Sequence, residues 1–279
     1  MTDIPSGKVP VIECVVASWR FLLDNWRPLL PAALIATAIS TLAPVIVAAG
    51  GAASFGALTV ATLVTLLADV VLAAAVLRKA VRNEVVSPLG VGLGQDEFRL
   101  IAVLASFGLL LIPPLVVLAF IYTAIALGQA GLTESEIEAM ASDPDAVNRI
   151  MMQAASTPPG ALLCAIGVVL FALLFTRLYI VNAASIGEKR IVFFQTWSWS
   201  KGNVLRIFAA IIVTLLPAIL ISAIVSEILA GLVPASAGLV AITARVFVAS
   251  LVGAFLSVPP TALGAQLYKG LRPPNFTAK

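Results

Sequence analysis

Six long apolar runs divide this chain, and the segments between them carry most of its charged residues. A transmembrane helix needs about 20 consecutive apolar residues, and each run reaches that length. The runs cover residues 28–48, 53–77, 100–127, 160–182, 204–230 and 237–267. The pattern therefore predicts an all-α polytopic membrane protein, with six transmembrane helices in a domain that spans 28–267.

Composition excludes other classes of protein. Hydrophobic residues make up 61% of the 279 residues and charged residues 11%, with a mean hydropathy of +1.08. Soluble domains carry roughly a quarter charged residues, so a soluble globular domain and a disordered chain are both excluded. The net charge of +3 is too small for nucleic-acid binding, and the predicted surroundings are a lipid bilayer.

Basic residues mark one face of the membrane. Of the 17 lysines and arginines, 15 lie before the first run, in or beside the second and fourth connectors, or after the last run. The exceptions are Arg149 and Arg245. Because short cytoplasmic loops carry an excess of lysine and arginine, both termini are predicted to be cytosolic, including a tail at 268–279.

Two cytosolic segments have the pattern of amphipathic helices that lie in the headgroup layer. In residues 1–27, apolar side chains recur at intervals of three and four residues, and the segment 183–203 is similar. Tryptophan favours the membrane interface, so the predicted interfacial anchors are Trp19, Trp26, Trp197 and Trp199. A docking surface for a protein partner is the alternative interpretation of both segments.

The connector at 128–159 is acidic and is predicted to lie outside the cytosol. Thr133 and Glu136 have the spacing of a capping box, and Asp143 before Pro144 marks a second helix start. These signals predict two short helices that form a solvated cap on the bundle. A lid over a cavity is the alternative.

Three segments that lead into apolar runs from the cytosolic side are similar in sequence. They read WRFLLDNWRP at 19–28, QDEFRL at 95–100 and WSKGNVLRI at 199–207. Each has a polar or acidic residue shortly before an arginine that opens the run. The match predicts three helical hairpins related by a parallel repeat. A general preference for arginine and aromatic residues at cytosolic helix ends is the alternative explanation.

Charged residues and double prolines within the runs are the candidate polar sites. An ionised side chain deep in the membrane costs roughly 2.5–3.5 kcal/mol on insertion scales, and Asp69 lies well inside the second run. It is predicted either as a relay for protons or cations or as a structural acid that joins two helices. Glu227 and Arg245 are predicted to form a structural ion pair. Pro113–Pro114 and Pro259–Pro260 predict kinks.

Catalytic signatures are missing from the sequence. It has no histidine, the commonest general base and metal ligand near neutral pH, and Cys14 and Cys164 lack the spacing of a metal site or disulfide. No nucleophile elbow, zinc motif or phosphate loop occurs, and Asp96–Glu97 is the closest approach to clustered carboxylates. The sequence therefore predicts no catalytic residue, no cofactor and no metal, and it favours a protein that is not an enzyme.

Two stretches resemble a known group of proteins. They are WRFLLDNWRPLLPAAL at 19–34 and TRLYIVNAASIGEKRIVFFQTWSWSKGNVLRIFAAIIVTLLP at 176–217. The group is a broad set of uncharacterised bacterial inner-membrane proteins, similar to the membrane domain fused to some glycerophosphodiester phosphodiesterases. The resemblance implies a bacterial plasma (inner) membrane and six helices. No part of these residues corresponds to the hydrolase domain, so the resemblance implies no catalytic residue.

Three functional hypotheses follow from these features. The leading one is a non-enzymatic helical bundle, a structural or partner-binding component of the bacterial cell envelope, whose partner is another membrane protein or a second copy of itself. The rival is a small permease or lipid-handling transporter that uses Asp69 and the proline-kinked helices. The third, a membrane enzyme, requires a cavity that gathers Asp96, Glu97 and Arg99 against lipid headgroups.

Overall fold

The computed structural model describes residues 8–50, 55–85, 92, 94–130, 144–233 and 238–273. These residues form helices and turns with no β-strand, which confirms the all-α prediction. The helices are α1 (Val11–Gly50), α2 (Phe55–Leu77), α3 (Gln95–Ala130), α4 (Pro144–Ser156), α5 (Pro158–Leu178), α6 (Val181–Gly187), α7 (Gln195–Trp199), α8 (Val204–Leu232), α9 (Leu239–Leu256) and α10 (Val258–Leu271). A π-helical turn at Arg78–Arg82 continues α2.

Within the described ranges, six helical segments are long and apolar enough to cross a membrane, which confirms the six predicted spans. They are Val11–Val47, Gly56–Arg82, Gln95–Ala130, Pro158–Gly187, Val204–Leu232 and Val240–Leu271. All six are longer than the corresponding apolar runs because the helical backbone continues beyond the run at one or both ends. The chain is thus a helical membrane protein.

The first of two compact units contains residues up to Val103 and from Arg177 onward. Its central helix is α1, which packs along α2 and also contacts α8, α9 and α10. The short helix α6 and the π-helical turn pack against α10 and against each other. Consecutive helices therefore pack as pairs, α1 with α2 and α8 with α9, while the parallel repeat of three hairpins stays a prediction.

Buried side chains of this unit concentrate at one end of its helices, here named the packed end. They lie in the N-terminal part of α1 and of α8, in the C-terminal part of α2, and in α10. Fully buried examples are Ala32, Ala33, Ala74, Val76, Ile207, Ala210, Ala262 and Leu263. Many of these residues are alanines, because small side chains let helix backbones approach closely.

The second unit, Leu104–Thr176, contains most of α3, all of α4 and most of α5. The hydroxyl of Tyr122 on α3 donates a hydrogen bond to the carbonyl of Met151 on α4 at 2.5 Å. Helix α4 begins at Pro144, where the sequence predicted a helix start. The predicted capping box at Thr133 and Glu136 lies outside the described residues.

The boundary predicted at residue 27, between an interfacial helix and the first span, is not a break in the backbone. Helix α1 is continuous, with Pro28, Pro31 and Pro44 inside it. Proline removes one backbone donor and crowds the preceding turn, but membrane helices tolerate it where neighbouring groups satisfy the freed carbonyls.

The two double prolines differ in their effect on the helical backbone. Pro113–Pro114 lies inside the continuous helix α3. The sixth span, in contrast, is two helices: α9 ends at Leu256, and Pro259 lies in the first turn of α10. Proline is favoured in a first turn, where its missing N–H has no intrahelical partner to lose.

The segment 183–203 is not one amphipathic helix, as its pattern predicted. It contains the end of α6, a reversal at Lys189, whose φ is +54°, and the single turn of α7. The Ser185 hydroxyl holds this reversal by accepting a hydrogen bond from the Val192 N–H at 3.1 Å. A local side-chain bond of this kind competes with helix continuation, which the hydrophobic pattern does not register.

Candidate functional site

Asp69 lies at the middle of the candidate span Gly56–Arg82, on an exposed side of α2. A cleft of about 350 Å³ opens beside it, lined by Ala43, Leu58, Ala61, Thr62, Thr65, Leu66 and Asp69. The hydroxyls of Thr62 and Thr65 donate to carbonyls of their own helix, four residues earlier. The described residues give Asp69 neither a hydrogen bond nor an ion pair, so no described contact joins it to a second helix.

The structure does not bring Glu227 and Arg245 together as an ion pair. Instead, Nη1 of Arg245 donates a hydrogen bond to the carbonyl of Val233 at 3.0 Å, and Glu227 is exposed. Val233 follows the last residue of α8, and the carbonyls at a helix end have no intrahelical donor. The arginine therefore satisfies a backbone group that sequence spacing does not reveal.

Two of the four predicted anchors, Trp26 and Trp197, are exposed, and each ring is covered by an arginine. The guanidinium carbon of Arg27 lies 5.3 Å from the ring centroid of Trp26, and that of Arg177 lies 5.2 Å from the ring centroid of Trp197. Trp19 is half-buried on α1. Cation–π contact holds such aromatic side chains in place.

Trp199 differs from the predicted interfacial position. Its side chain is 8% exposed, and its ring centroid lies 6.2 Å from that of Tyr268 on α10. Trp199 therefore packs within the protein rather than into the headgroup layer.

The packed end also contains an ionic arrangement, here named the arginine–carboxylate cluster. Its members lie on the π-helical turn and in the first turn of α3, and they are Arg78, Arg82, Asp96, Glu97 and Arg99. The cluster joins the beginning and the end of the second connector, residues 78–99. It is the most extensive set of ion pairs among the described residues.

The buried pair of the cluster is Arg78 with Glu97. Nη1 of Arg78 lies 2.7 Å from Oε1 of Glu97, and the two side chains are 3% and 2% exposed. The contact is Coulombic rather than an aligned hydrogen bond. Oε2 of Glu97 also accepts a hydrogen bond from the Gly94 N–H at 3.0 Å, as an acid in the first turn does when it caps its own helix.

Asp96 is the second carboxylate of the cluster, and two arginines hold it. Nη1 of Arg99 donates to Oδ1 at 2.5 Å, and Nη2 of Arg82 donates to Oδ2. Arg78 lies farther away, with Nη1 at 3.8 Å from Oδ2. Both oxygens of Asp96 therefore accept hydrogen bonds from arginines within the cluster.

A π-helical turn at Arg78–Arg82 positions the two arginines of α2. The turn ends at Asn83, whose φ of +56° is left-handed and whose N–H donates to the carbonyls of Arg78 and Lys79. Asparagine tolerates this conformation better than most residues. Single π-helical turns frequently occur at functional sites, and this one lies beside a cleft.

The cleft beside the cluster has a volume of about 410 Å³. Its lining residues are Arg78, Arg82, Gly92, Gly94, Gln95, Asp96, Arg99 and Lys189. Nε and Nη2 of Arg78 are buried and have no hydrogen-bond partner in the described part of the protein. An arginine with unpaired buried donors on a cleft wall can donate hydrogen bonds to the acceptor atoms of a ligand.

A second ionic contact at the packed end ties α10 to the end of α6. Oε1 of Glu188 accepts hydrogen bonds from the Tyr268 hydroxyl at 2.6 Å and from Nε of Arg272 at 2.5 Å. The hydrogen bond with Glu188 raises the pKa of Arg272 above its ordinary value. Lys269 donates to the carbonyl of Ala80 at 2.7 Å, which joins α10 to the π-helical turn. These bonds hold α6, α10 and the π-helical turn together at the packed end.

Sequence reasoning missed the partnership within the arginine–carboxylate cluster. It counted Arg78, Arg82 and Arg99 as markers of the cytosolic side, and it grouped only Arg99 with the acids Asp96–Glu97. The available signal was that one connector has basic residues at its start and acids at its end. Such complementary ends pair when the flanking helices pack together.

Comparison of the chain with protein-family models, with curated proteins and with solved structures finds no match. Over the described ranges, no group of three or more histidine, cysteine, aspartate or glutamate side chains is placed to hold a metal ion. Arguments about function therefore start from the geometry above.

Proposed function

We propose that this chain is a non-enzymatic component of the bacterial plasma membrane that acts by binding another membrane protein or a second copy of itself. The observation that carries the proposal is the packed end, where α6, α10 and the π-helical turn pack together. The Arg272–Glu188 ion pair and the hydrogen bond from Lys269 to Ala80 join these elements. A rigid surface of this kind is suited to present side chains to a partner.

Exposed apolar side chains on α1 supply the surface that such a partner would contact. Ile12, Val16, Leu23 and Trp26 are all exposed, and their spacing places them on one stripe of the helix. The opposite face of α1 is buried in the first unit. A stripe held in place in this way suits an amphipathic partner helix.

Orientation and location are part of the proposal. The distribution of 15 of the 17 basic residues supports a cytosolic packed end with both termini in the cytosol. The resemblance of residues 19–34 and 176–217 to bacterial inner-membrane proteins supports the plasma membrane, and membership of that group stays a prediction.

Native mass spectrometry of the protein, extracted with its surrounding lipid, tests partner binding. We expect a complex of fixed stoichiometry whose second subunit is lost, by roughly tenfold or more, in Leu23→Gln because the stripe is interrupted. Leu205→Gln is the matched control, since Leu205 is also exposed and apolar but lies on α8. A chain found alone, or equal loss in both variants, would argue against the proposal.

The cleft at Asp69 supports a second candidate function, transfer of lipid across the membrane. An acid at the middle of a span, without a described partner and beside two threonines, is unusual because an intramembrane charge is costly. A lipid headgroup that passed along α2 would meet this polar site. The candidate transporter thus depends on Asp69 rather than on the packed end.

Scrambling of a fluorescent phospholipid in proteoliposomes tests this candidate. We expect protein-dependent transfer that Asp69→Asn slows by roughly tenfold or more, since the amide cannot ionise. Thr62→Val is the control variant, because its hydroxyl already bonds to its own helix. Transfer that depends on Asp69 would replace partner binding as the proposed function, and a rate equal to that of empty liposomes would reject the transporter.

A further inference from the structure

The cleft beside the arginine–carboxylate cluster has an excess of positive charge. Its described lining contains four basic side chains, Arg78, Arg82, Arg99 and Lys189, and one carboxylate, that of Asp96. Asp96 is already paired with Arg82 and Arg99. Glu97 and Glu84, which are not part of the lining, pair with Arg78 and Arg82. Four basic side chains thus stand against three carboxylates, and the excess of one positive charge favours an anion in the cleft.

The donors of Arg78 show where such an anion would bind. This side chain is 3% exposed, and its Nη1 atom lies 2.7 Å from Oε1 of Glu97. The Nε and Nη2 donors remain buried without a partner, which is costly for a native protein unless a ligand or water satisfies them. These two atoms form the edge of the guanidinium that pairs with two oxygens of one oxyanion.

Lys189 and Arg99 add two further basic groups to the lining of the cleft. Lys189 lies at the reversal after α6, with an exposed side chain that contributes a mobile point charge to the cleft. Arg99 is anchored through Asp96 and through Gln95, whose Oε1 accepts from Nη2 at 2.9 Å. The cleft thus combines a fixed buried arginine edge with a flexible ammonium group at its rim.

The volume of the cleft and its position relative to the membrane restrict the class of ligand that it can bind. A volume of about 410 Å³ is near the lower end of the range for small-molecule sites, enough for a phosphate and a few further atoms. The cleft lies where the span Gly56–Arg82 ends and the span Gln95–Ala130 begins. Span ends lie at the depth of lipid headgroups.

We propose that this cleft is a binding site for a phosphate-bearing anion. The Nε and Nη2 atoms of Arg78 donate hydrogen bonds to the anion, and the ammonium group of Lys189 binds it at the opening of the cleft. The phosphate belongs either to a lipid headgroup or to a small soluble phosphate compound. The site is independent of whether the chain binds a protein partner or transfers lipid, because it uses neither the stripe on α1 nor Asp69.

Two variants remove the site without leaving a buried unpaired charge. Arg78→Gln combined with Glu97→Gln neutralises both members of the buried pair. Circular dichroism shows whether the double variant folds. If it does not fold, Lys189→Gln still tests the site, because it changes only an exposed side chain. Lys201→Gln is the matched control, since Lys201 is basic and exposed but lies outside the cleft.

Two probes distinguish the sources of the phosphate. The full chain in a maltoside detergent is titrated with inorganic phosphate by calorimetry, and retention of added phosphatidylglycerol is measured by native mass spectrometry. A galactosyl diacylglycerol, which has no phosphate, is the control lipid. Retention of phosphatidylglycerol that millimolar inorganic phosphate does not displace identifies a lipid ligand, and heat of binding without lipid identifies a soluble one.

We expect one of these probes to bind and both cleft variants to weaken it by about tenfold or more, as loss of charge-assisted hydrogen bonds does. The Lys201→Gln control should stay within about twofold of the unchanged protein. The site is overturned if neither probe binds, if the galactolipid is retained equally well, or if the folded cleft variants bind as tightly as the unchanged protein.

Discussion

Replacing Glu97 with alanine is expected to lower the free energy of unfolding by about 3–5 kcal/mol, because it leaves a charged arginine buried without its partner. Arg78 and Glu97 are 3% and 2% exposed, and their charged atoms lie 2.7 Å apart. Asp96 is 3.8 Å from the same arginine and already serves two others. It therefore cannot replace the lost carboxylate.

Unfolding of the detergent-solubilised protein, followed by circular dichroism against denaturant, measures this loss. Glu84→Ala is the control, since Glu84 pairs with Arg82 at 2.9 Å but is about half exposed, and exposed pairs contribute about 0–1 kcal/mol. Replacing Arg78 and Glu97 together by leucine should recover most of the loss, because no buried charge remains. Equal effects of Glu97→Ala and Glu84→Ala would contradict the buried pair.

Replacing Gly187 with alanine is expected to destabilise the packed end by about 1–3 kcal/mol, the usual cost of overpacking. A Cβ atom at this position would lie 2.6 Å from Cε1 and Oη of Tyr268. The ring has little room to retreat, because it is buried, its hydroxyl is bonded to Glu188, and Glu188 is held by Arg272.

A second glycine of the same region provides the control for this prediction. A Cβ atom at Gly264 on α10 would meet its nearest neighbour, the carbonyl of Tyr179, at 3.7 Å, an ordinary contact. Gly264→Ala should therefore be neutral or stabilising by about 0.4–1 kcal/mol, since alanine restricts the unfolded chain. Thermal unfolding of Gly187→Ala and of Gly264→Ala measures the two effects. If Gly187→Ala melts no lower than Gly264→Ala, then Tyr268 does not pack as described.

Parts of the candidate site were within reach of the sequence. Asp69 stands out because a carboxylate in an apolar run is rare, and its position at the middle of a span follows from counting residues. Asp96, Glu97 and Arg99 were also singled out as a group that would need a cavity. Their partners Arg78 and Arg82 were not, because charge patterning assigns each basic residue to a face and not to a neighbour.

Other details required three-dimensional contacts. Trp197 and Trp199 are two residues apart and lie about 200° apart around a helix, so the pattern predicts that they face different sides. Only the structure shows that Trp199 packs on Tyr268 and that Trp197 is exposed. The contact depends on where α10 places Tyr268, which the sequence around the tryptophans does not contain. Arg245 likewise bonds to a backbone carbonyl at a helix end, a partner that carries no sequence signal.

The sequence by itself determined that the chain is all-α and has six membrane-spanning helices. The reason is physical: in lipid every backbone group must be satisfied within the protein, so a long apolar run has the helix as its structure. Only the tertiary structure decided which end of the first unit is packed, which acid each arginine meets, and which arginine donors remain unpaired. Those outcomes depend on distances of a few ångströms between residues far apart in the chain, and periodicity along one helix contains no information about them.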